Sequence, residues 1–350
     1  MQIIYEKQSM KKIILLFLGL VPFISYSQQR ILTKKIVTTV RFTENKVQSS
    51  ALKDSVSYNY IVNKRFFWEA TDKLFSELKA KRCYLTAMNG DTIQWDTMIS
   101  DLTKKLNTLD FKKYSKKDIE KVLENEIRAV KFMEEWFYDD NTMQISKSVI
   151  AYCPIIQRDS VSLIDEDLKA KTYFEYEIGW IRQKSSSSAA KSESDSEDTL
   201  LITRNIQYTM PIYNPQPYHW WDNNLEAEYS IPFFETLIAK ADTRQILCYE
   251  NPDALEPFSL PELEKRKKHS VTTTIYTVDE NGTESETDTI INLVYTGYDI
   301  DRLRFGEELF FNKKDLTFTK KVNYYAPVIR IFTSNGAFIG FYPLYYIREQ

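Results

Sequence analysis

The sequence predicts an α+β fold made of two tandem similar units, each with helices packed on an antiparallel sheet. The 350-residue chain has only 8 Gly, and aromatic residues make up 14% of it. This composition disfavours Gly-rich nucleotide-binding folds and favours strand-rich modules with aromatic packing. The second observation is an internal repeat, and the third is that each copy begins with an amphipathic helix and continues as strands.

The repeat aligns 131–156 with 304–329 without a gap, and nine of these 26 positions are identical. Chance similarity between two aromatic-rich strands is the alternative, but the unbroken register favours duplication. We therefore place copy one at 56–183 and copy two at 219–350. The identical positions include Phe132, Glu134, Glu135, Phe137, Lys147, Val149, Tyr152 and Pro154.

Three further segments complete the predicted organisation. Residues 1–27 have the pattern of a signal peptide, because two lysines precede the apolar run Ile13–Ile24, which is too short to span a bilayer. Residues 28–55 form an N-terminal segment. Residues 184–218 are predicted to be a flexible linker, because their Ser-rich and acidic first half cannot bury enough apolar area to offset its ordering entropy.

Hydrophobic periodicity gives the elements of copy one. Apolar residues at helical spacing predict the first helix, and Ser115 is placed to cap a second one. A polar turn at 139–142 separates two strands. In chain order we expect a helix at 66–81, a strand at 83–86, a helix at Lys116–Arg128, and strands at Val130–Tyr138 and Ser146–Ile155.

Copy two repeats this outline with a different middle. In place of the capped helix it has two β-rich runs around Asn281-Gly282, a strong hairpin signal. In chain order we expect a helix at 233–241, a strand at 246–249, hairpin strands at Ser270–Val278 and Thr287–Tyr295, and strands at Leu303–Phe311, Thr317–Phe332 and Phe338–Ile347.

Paired carboxylates recur in both copies, as Glu134-Glu135 and Glu307-Glu308. A retaining glycosidase needs two carboxyl groups ~5 Å apart on one side of a cleft. Adjacent residues of a strand point to opposite faces, so neither pair meets that requirement. We therefore interpret the four glutamates as candidate interaction residues, partly solvated beside contacts with other chains. Trp136 is a further candidate interaction residue.

Trp220 and Trp221 are the remaining candidate interaction residues. Tryptophan faces stack on sugars, which supports a binding module for a peptide or a glycan. An aromatic pair at the start of a domain is more often part of the core. Both interpretations stay open at this stage.

Several functional classes are disfavoured. The formal net charge is −3, so there is no basic surplus for nucleic acid. Two His and three Cys exclude a Cys/His structural metal cluster. Cys83 and Cys248 take equivalent repeat positions, and we expect them and Cys153 to be free thiols. No nucleotide-binding or hydrolase motif is present, so we expect no enzyme and no cofactor.

The repeated segment carries a resemblance to a known family. Residues 128–139, followed by a strand that ends at Cys153-Pro154, are similar to the gliding-motility GldN family, called PorN in non-gliding relatives. Copy two matches further along its length, at 231–250, at Ala326-Pro327 and at 341–346. The resemblance covers most of copy two and about half of copy one.

This resemblance implies a non-enzymatic component of the type IX secretion and gliding-motility machinery, located in the periplasm and associated with the outer membrane through partners. The implied partners are an outer-membrane lipoprotein of the GldK or PorK type, the periplasmic part of a GldM-type protein, and further copies of the chain in a ring. We expect the chain to bind no nucleic acid and to have no membrane-spanning segment of its own. The alternative is a periplasmic peptide- or glycan-binding module.

Overall fold

The structure is a computed structural model. The predicted signal peptide lies outside the residues that it describes, and so do Trp220 and Trp221. The described residues are 29–42, 64–110, 113–161, 171–183, 197–212, 225, 227–278, 284–333 and 337–349.

Helices and antiparallel sheets make up the described chain, so the α+β prediction is confirmed. No helix in the described ranges is both long enough and apolar enough to cross a membrane. The described helices are α1 (Lys64–Lys79), α2 (Trp95–Asp110), α3 (Lys116–Asn125), α4 (Ala227–Asp242) and α5 (Leu260–Lys267), and a 3-10 turn covers Gly297–Asp299.

Helix α3 begins where the sequence predicts. The Ser115 hydroxyl accepts from the Asp118 N–H, and the Asp118 carboxylate accepts from the Ser115 N–H, which together form a capping box. The helix ends at Asn125 rather than at Arg128, because the next strand starts at Ile127. Helix α2 was not predicted.

One sheet contains the strands of the first half of the chain. Its order is β1-β4-β5-β6, and the short β7 also pairs with β5. A separate two-stranded ribbon joins β2 to β3. The strands are β1 (Gln29–Arg41), β2 (Leu85–Thr86), β3 (Thr92–Ile93), β4 (Ile127–Asp139), β5 (Ile145–Val161), β6 (Lys171–Glu177) and β7 (Ile181–Arg182).

A second sheet contains strands of the other half. Its order is β8-β11-β12-β13, and the short β14 pairs with β12. Strands β9 and β10 form a separate two-stranded sheet, as the Asn281-Gly282 signal predicts. The strands are β8 (Thr199–Pro211), β9 (Lys268–Val278), β10 (Glu284–Val294), β11 (Ile300–Asn312), β12 (Thr317–Phe332), β13 (Phe338–Pro343) and β14 (Ile347–Arg348).

Two segment predictions are wrong in part. The predicted linker contains β8, whose side chains at Leu200, Ile202, Ile206, Tyr208 and Met210 are buried. Alternating apolar residues make this stretch a strand despite the acidic run before it. The N-terminal segment likewise contains β1, so each sheet takes its first strand from ahead of the predicted copy. The strand predicted at 246–249 is reduced to one bridge, from Tyr249 to Tyr346.

The two sheets face each other across one connected hydrophobic core, which draws buried residues from both of them. Aromatic rings meet across this interface. The Trp136 and Phe305 rings pack edge to face with centroids 4.9 Å apart, and Phe132 meets Phe318 at 5.3 Å. Such pairs add to the stabilisation from burial. The two halves of the chain therefore share a core.

A close approach between strands requires glycine at one position of β11. Gly306 is buried and lies opposite Tyr324 of β12. A Cβ atom at Gly306 would lie 2.1 Å from the nearest atom of the Tyr324 ring. No side chain fits there unless the ring moves.

We expect Gly306→Ala to lower the free energy of unfolding by roughly 1–3 kcal/mol, because a Cβ there would push the half-buried Tyr324 ring out of its packed position. Urea unfolding followed by circular dichroism measures the change. Gly340→Ala is the matched control, because a Cβ at Gly340 would meet nothing within 4 Å. Equal unfolding midpoints for the two variants would contradict this packing.

Candidate functional site: a buried ionic cluster between the sheets

Four charged side chains lie at the centre of the interface between the two sheets. Glu134 and Lys147 come from β4 and β5, and Glu307 and Lys320 come from β11 and β12. All four side chains have 0% relative exposure. Alternation along each strand puts these positions on the inward face, among apolar neighbours.

The charges pair crosswise between the sheets. Glu134 Oε1 accepts from Lys320 Nζ, and Glu307 Oε1 accepts from Lys147 Nζ. Each glutamate of one sheet thus meets the lysine of the other. Buried charges cost several kcal/mol per ion in desolvation unless they are paired and hydrogen-bonded, so this arrangement meets the condition for burial.

A hydroxyl from the neighbouring strand completes each pair. Thr38 of β1 donates to Glu134 Oε1, and Lys320 Nζ donates to Thr38 Oγ1 at 2.8 Å. In the second sheet, Tyr208 of β8 donates to Glu307 Oε1 at 2.9 Å and accepts from Lys147 Nζ. Each site is therefore a triad of a carboxylate, a hydroxyl and an ammonium.

The two triads differ in one hydrogen bond. The Trp136 indole Nε1 donates to Glu134 Oε2 at 2.6 Å. Glu307 Oε2 has no hydrogen-bond partner among the described residues, and Lys320 Nζ lies 4.0 Å from it. The repeat puts Leu309 where the first copy has Trp136, and leucine has no donor. The Glu307 triad is therefore the less completely satisfied of the two.

Aromatic faces surround the two ammonium groups. Lys147 Nζ lies 3.6 Å from the Trp136 ring centroid and 3.4 Å from that of Phe305. Lys320 Nζ lies 4.5 Å from the Phe132 centroid. Ring faces carry partial negative charge and attract a cation, so the aromatic core itself contributes to holding the lysines.

Burial and charge compete in setting the pKa values. Burial by itself would raise the pKa of Glu134, yet the charges of Lys320 and Lys147 outweigh it and hold this pKa below its ordinary value of 4.5. Burial lowers the pKa of Lys147 from 10.5 to about 8, although Glu307 and Glu134 oppose the shift. At neutral pH Glu134 and Lys147 are therefore both charged.

The geometry fits a role in joining the sheets. Every charged group of the cluster is enclosed, and its nearest partners belong to the opposite sheet or to a neighbouring strand. Acid–base chemistry would require a substrate atom within hydrogen-bond reach of these groups. In the described part of the chain, no group of three or more His, Cys, Asp or Glu side chains could hold a metal ion.

The predicted interaction residues divide into two sets. Glu134 and Glu307 are fully buried, so the prediction that they are partly solvated is wrong. Both lie on the core-facing side of their strands, and the lysine that pairs with each comes from the opposite sheet. Trp136 is fully buried as well. Glu135 and Glu308 point away from the core and are partly exposed, so they remain candidates for contacts.

Sequence reasoning missed the lysines, although a signal existed. Lys147 and Lys320 are identical repeat positions, like the glutamates that they meet. A carboxylate and a lysine that recur together on inward faces indicate a buried pair. All three cysteines are free, as predicted, with Cys153 and Cys248 buried and Cys83 half-buried.

Comparison of the chain with protein-family models, with curated proteins and with solved structures finds no match. The role of the cluster is therefore inferred from its own geometry, and the likeness to the GldN family rests on the quoted sequence motifs alone.

We expect Glu134→Gln to lower the free energy of unfolding by about 3–5 kcal/mol, because it leaves the Lys320 ammonium buried without its counter-charge. Glu135→Gln, on the outward face of the same strand, is the matched control and should change stability by less than about 0.5 kcal/mol. Urea unfolding of both variants gives the comparison. Similar losses from the two substitutions would show that Glu134 is not the buried partner described.

The depressed pKa of Lys147 gives a pH dependence with a defined sign. Between pH 8 and 10.5 the unfolded chain keeps the Lys147 proton and the folded chain releases it. Stability from this group therefore rises with pH in that window, by up to ~1.4 kcal/mol per pH unit. The double variant Lys147→Met/Glu307→Gln lacks the effect.

Urea unfolding at pH 7, 8, 9 and 10 measures this effect as the stability of the native chain minus that of the double variant. We expect the difference to stay level from pH 7 to 8 and to increase above pH 8. A difference that is constant or decreases up to pH 10 would refute the assignment.

Proposed function

We propose that this protein is a non-enzymatic structural component of an exported protein assembly, built from two tandem similar units that arose by duplication. The equivalent topologies of the two sheets support the duplication. One sheet has the order β1-β4-β5-β6 with β7 on β5, and the other has the order β8-β11-β12-β13 with β14 on β12. The register irregularities also correspond, since one falls between Met133 and Glu134 and another between Gly306 and Glu307.

Reciprocal contacts between the halves support the same proposal. The Tyr152 hydroxyl donates to the Leu316 carbonyl at 2.9 Å, and the Tyr325 hydroxyl donates to the Met143 carbonyl at 2.6 Å. Met143 and Leu316 both have positive φ, 57° and 55°, an uncommon backbone conformation for such residues. Each unit thus donates a tyrosine hydroxyl to the equivalent backbone carbonyl of the other unit, as in a two-fold arrangement within one chain.

The likeness to the GldN family supports a more specific role. On this proposal the chain acts in the periplasm as part of the type IX secretion and gliding-motility machinery. Its partners there are an outer-membrane lipoprotein of the GldK or PorK type and the periplasmic part of a GldM-type protein. The buried cluster is compatible with such a role, because its four charged side chains are fully buried and pair with one another.

The main support for the assembly role is the exposed apolar edge strand β13. Phe338, Ile339 and Tyr342 of this strand are exposed, as is Phe332 at the end of β12. Strand β13 contains no charged residue and pairs only with β12 among the described strands. An exposed apolar edge strand offers backbone groups and side chains for pairing with another chain.

The corresponding edge of the other sheet is protected by charge. On β6, Glu175 and Glu177 are exposed and form ion pairs with Lys131. Charged residues on an edge discourage pairing with other strands. The contrast makes the β13 edge, rather than the β6 edge, the contact surface that we assign to partners.

The proposal is tested by co-expressing the chain with a GldK- or PorK-type lipoprotein and with the periplasmic part of a GldM-type protein, followed by size-exclusion chromatography with light scattering. We expect a stable complex with at least one of them. Ile339→Lys should weaken it at least about tenfold, since a charge is then buried at the edge. Leu255→Lys is the control, because Leu255 is 95% exposed in a loop outside the named strands and helices.

A chain that ignores both partners and binds a glycan or a peptide tightly would overturn the proposal in favour of a binding module. Thermal unfolding of Ile339→Lys and Leu255→Lys should match that of the native chain, because both sites are exposed. Loss of binding with unchanged unfolding then reports on the surface rather than on the fold.

A further inference from the structure

The β9–β10 hairpin is an arm that stands apart from the two main sheets. Eleven residues in each strand pair from Lys268–Val294 at the base to Val278–Glu284 at the far end. Neither strand pairs with any other strand of the described chain. At roughly 3.3 Å per residue the arm extends about 35 Å. An isolated two-stranded hairpin of this kind is marginally stable in water.

The arm exposes large apolar side chains along its length. Tyr276 and Ile290 are each 67% exposed, and every described side chain of β10 except Thr289 falls in the exposed class. Strand alternation puts Ile290 and Val294 on one face of the arm and Ile291 and Leu293 on the other, so apolar side chains are exposed on both faces. Among the described side chains of the arm, the exposed large apolar ones are Tyr276, Val278, Ile290, Ile291, Leu293 and Val294.

Charge is distributed unevenly along β10. Glu284, Glu286 and Asp288 occupy its distal half, and its proximal half, 290–294, contains no charged residue. Exposed Lys268 pairs with Val294 in the ladder and so stands at the base of the arm. The arm therefore has an acidic far end and carries at its base the exposed Lys268, which also forms an ion pair with Glu264 at 3.6 Å. Its apolar residues lie mainly near the base.

We propose that β10 pairs antiparallel with β10 of a second copy of this chain, around a two-fold axis at Thr289. Full overlap then sets Glu284 opposite Val294 of the second copy and Glu286 opposite its Asn292. Charged residues on an edge disfavour most pairings, but in this register no carboxylate faces another carboxylate, and the acidic end of each arm lies at the base of the other, where Lys268 stands. A parallel pairing in register would instead set like charges side by side, which destabilises a sheet.

This pairing produces a four-stranded antiparallel sheet from two marginal hairpins. Three or more strands are what an independent sheet needs for stability in water. The contact is isologous, because the same strand contributes from both copies. The inference adds to the proposed assembly role the surface through which two copies meet, and it does not depend on the lipoprotein or the GldM-type partner.

Cysteine cross-linking tests the register. Directly opposed residues of an antiparallel pair have Cα atoms about 4.5–5.5 Å apart, within disulfide range. Thr289→Cys should therefore form a covalent dimer under mild oxidation. Ser285→Cys alone should not, because it faces Leu293 of the second copy. A mixture of Ser285→Cys and Leu293→Cys chains should cross-link, and the unsubstituted chain gives the background from the native thiols.

A charge substitution supplies an independent readout by light scattering. Asn292→Lys adds two contacts with Glu286 across the axis, so it should tighten the dimer by at least about twofold. Asn292→Glu should weaken it, and Asn292→Gln serves as the neutral control. Asn292 is exposed but accepts a hydrogen bond from the Ser270 hydroxyl at 2.7 Å within the arm. Asn292→Gln, which changes the side chain without adding charge, therefore serves as the control for loss of that contact.

Cross-linking of Thr289→Cys and of the mixed chains, with Ser285→Cys remaining monomeric, supports the proposal. Failure of Thr289→Cys to cross-link, or equal cross-linking of Ser285→Cys alone, would overturn it. A dimer that Asn292→Lys weakens would equally overturn it. Binding to the lipoprotein without arm cross-linking would leave the proposed function standing and remove only this inference.

Discussion

The crosswise burial of two glutamates and two lysines between the sheets is the constraint on which the rest of the fold depends. Each carboxylate pairs with an ammonium from the opposite sheet, and all four side chains are excluded from solvent. Without the other sheet, each carboxylate would lose the ammonium that donates to it, and burying it would then be costly. The shared core and the aromatic contacts between the sheets are arranged around this requirement.

A buried ion pair is weak evidence for stability, since an apolar replacement of both partners is often neutral or stabilising. Its better-attested effect is to fix one arrangement among several. Here the charges fix how the two sheets align, because a shift of one residue along a strand would turn a glutamate or a lysine to the outer face. Among the described residues no group donates to Glu307 Oε2, whereas the Trp136 indole donates to Glu134 Oε2, so the Glu307 half of the cluster has fewer hydrogen bonds.

The sequence predicted local features well. The Ser115 cap, the hairpin around Asn281-Gly282 and the strands around the repeat follow from caps, turn residues and alternation, which act over a few residues. It did not predict that Glu134 is buried, because the lysine that compensates its charge lies on the opposite sheet. It also misplaced Thr199–Pro211 as linker, because the neighbouring acidic run obscured a short apolar alternation. A long-range partner accounts for the first error, and the composition of a neighbouring segment accounts for the second.

The cluster couples the two sheets energetically. A double-mutant cycle on Glu134→Gln and Lys320→Met, measured by urea unfolding, tests that claim most directly, with Glu134→Gln and Lys147→Met as the comparison within one sheet. The account predicts a coupling energy of about 1–3 kcal/mol for the pair between sheets and a smaller one for the pair within a sheet. Additive effects of Glu134→Gln and Lys320→Met would contradict it.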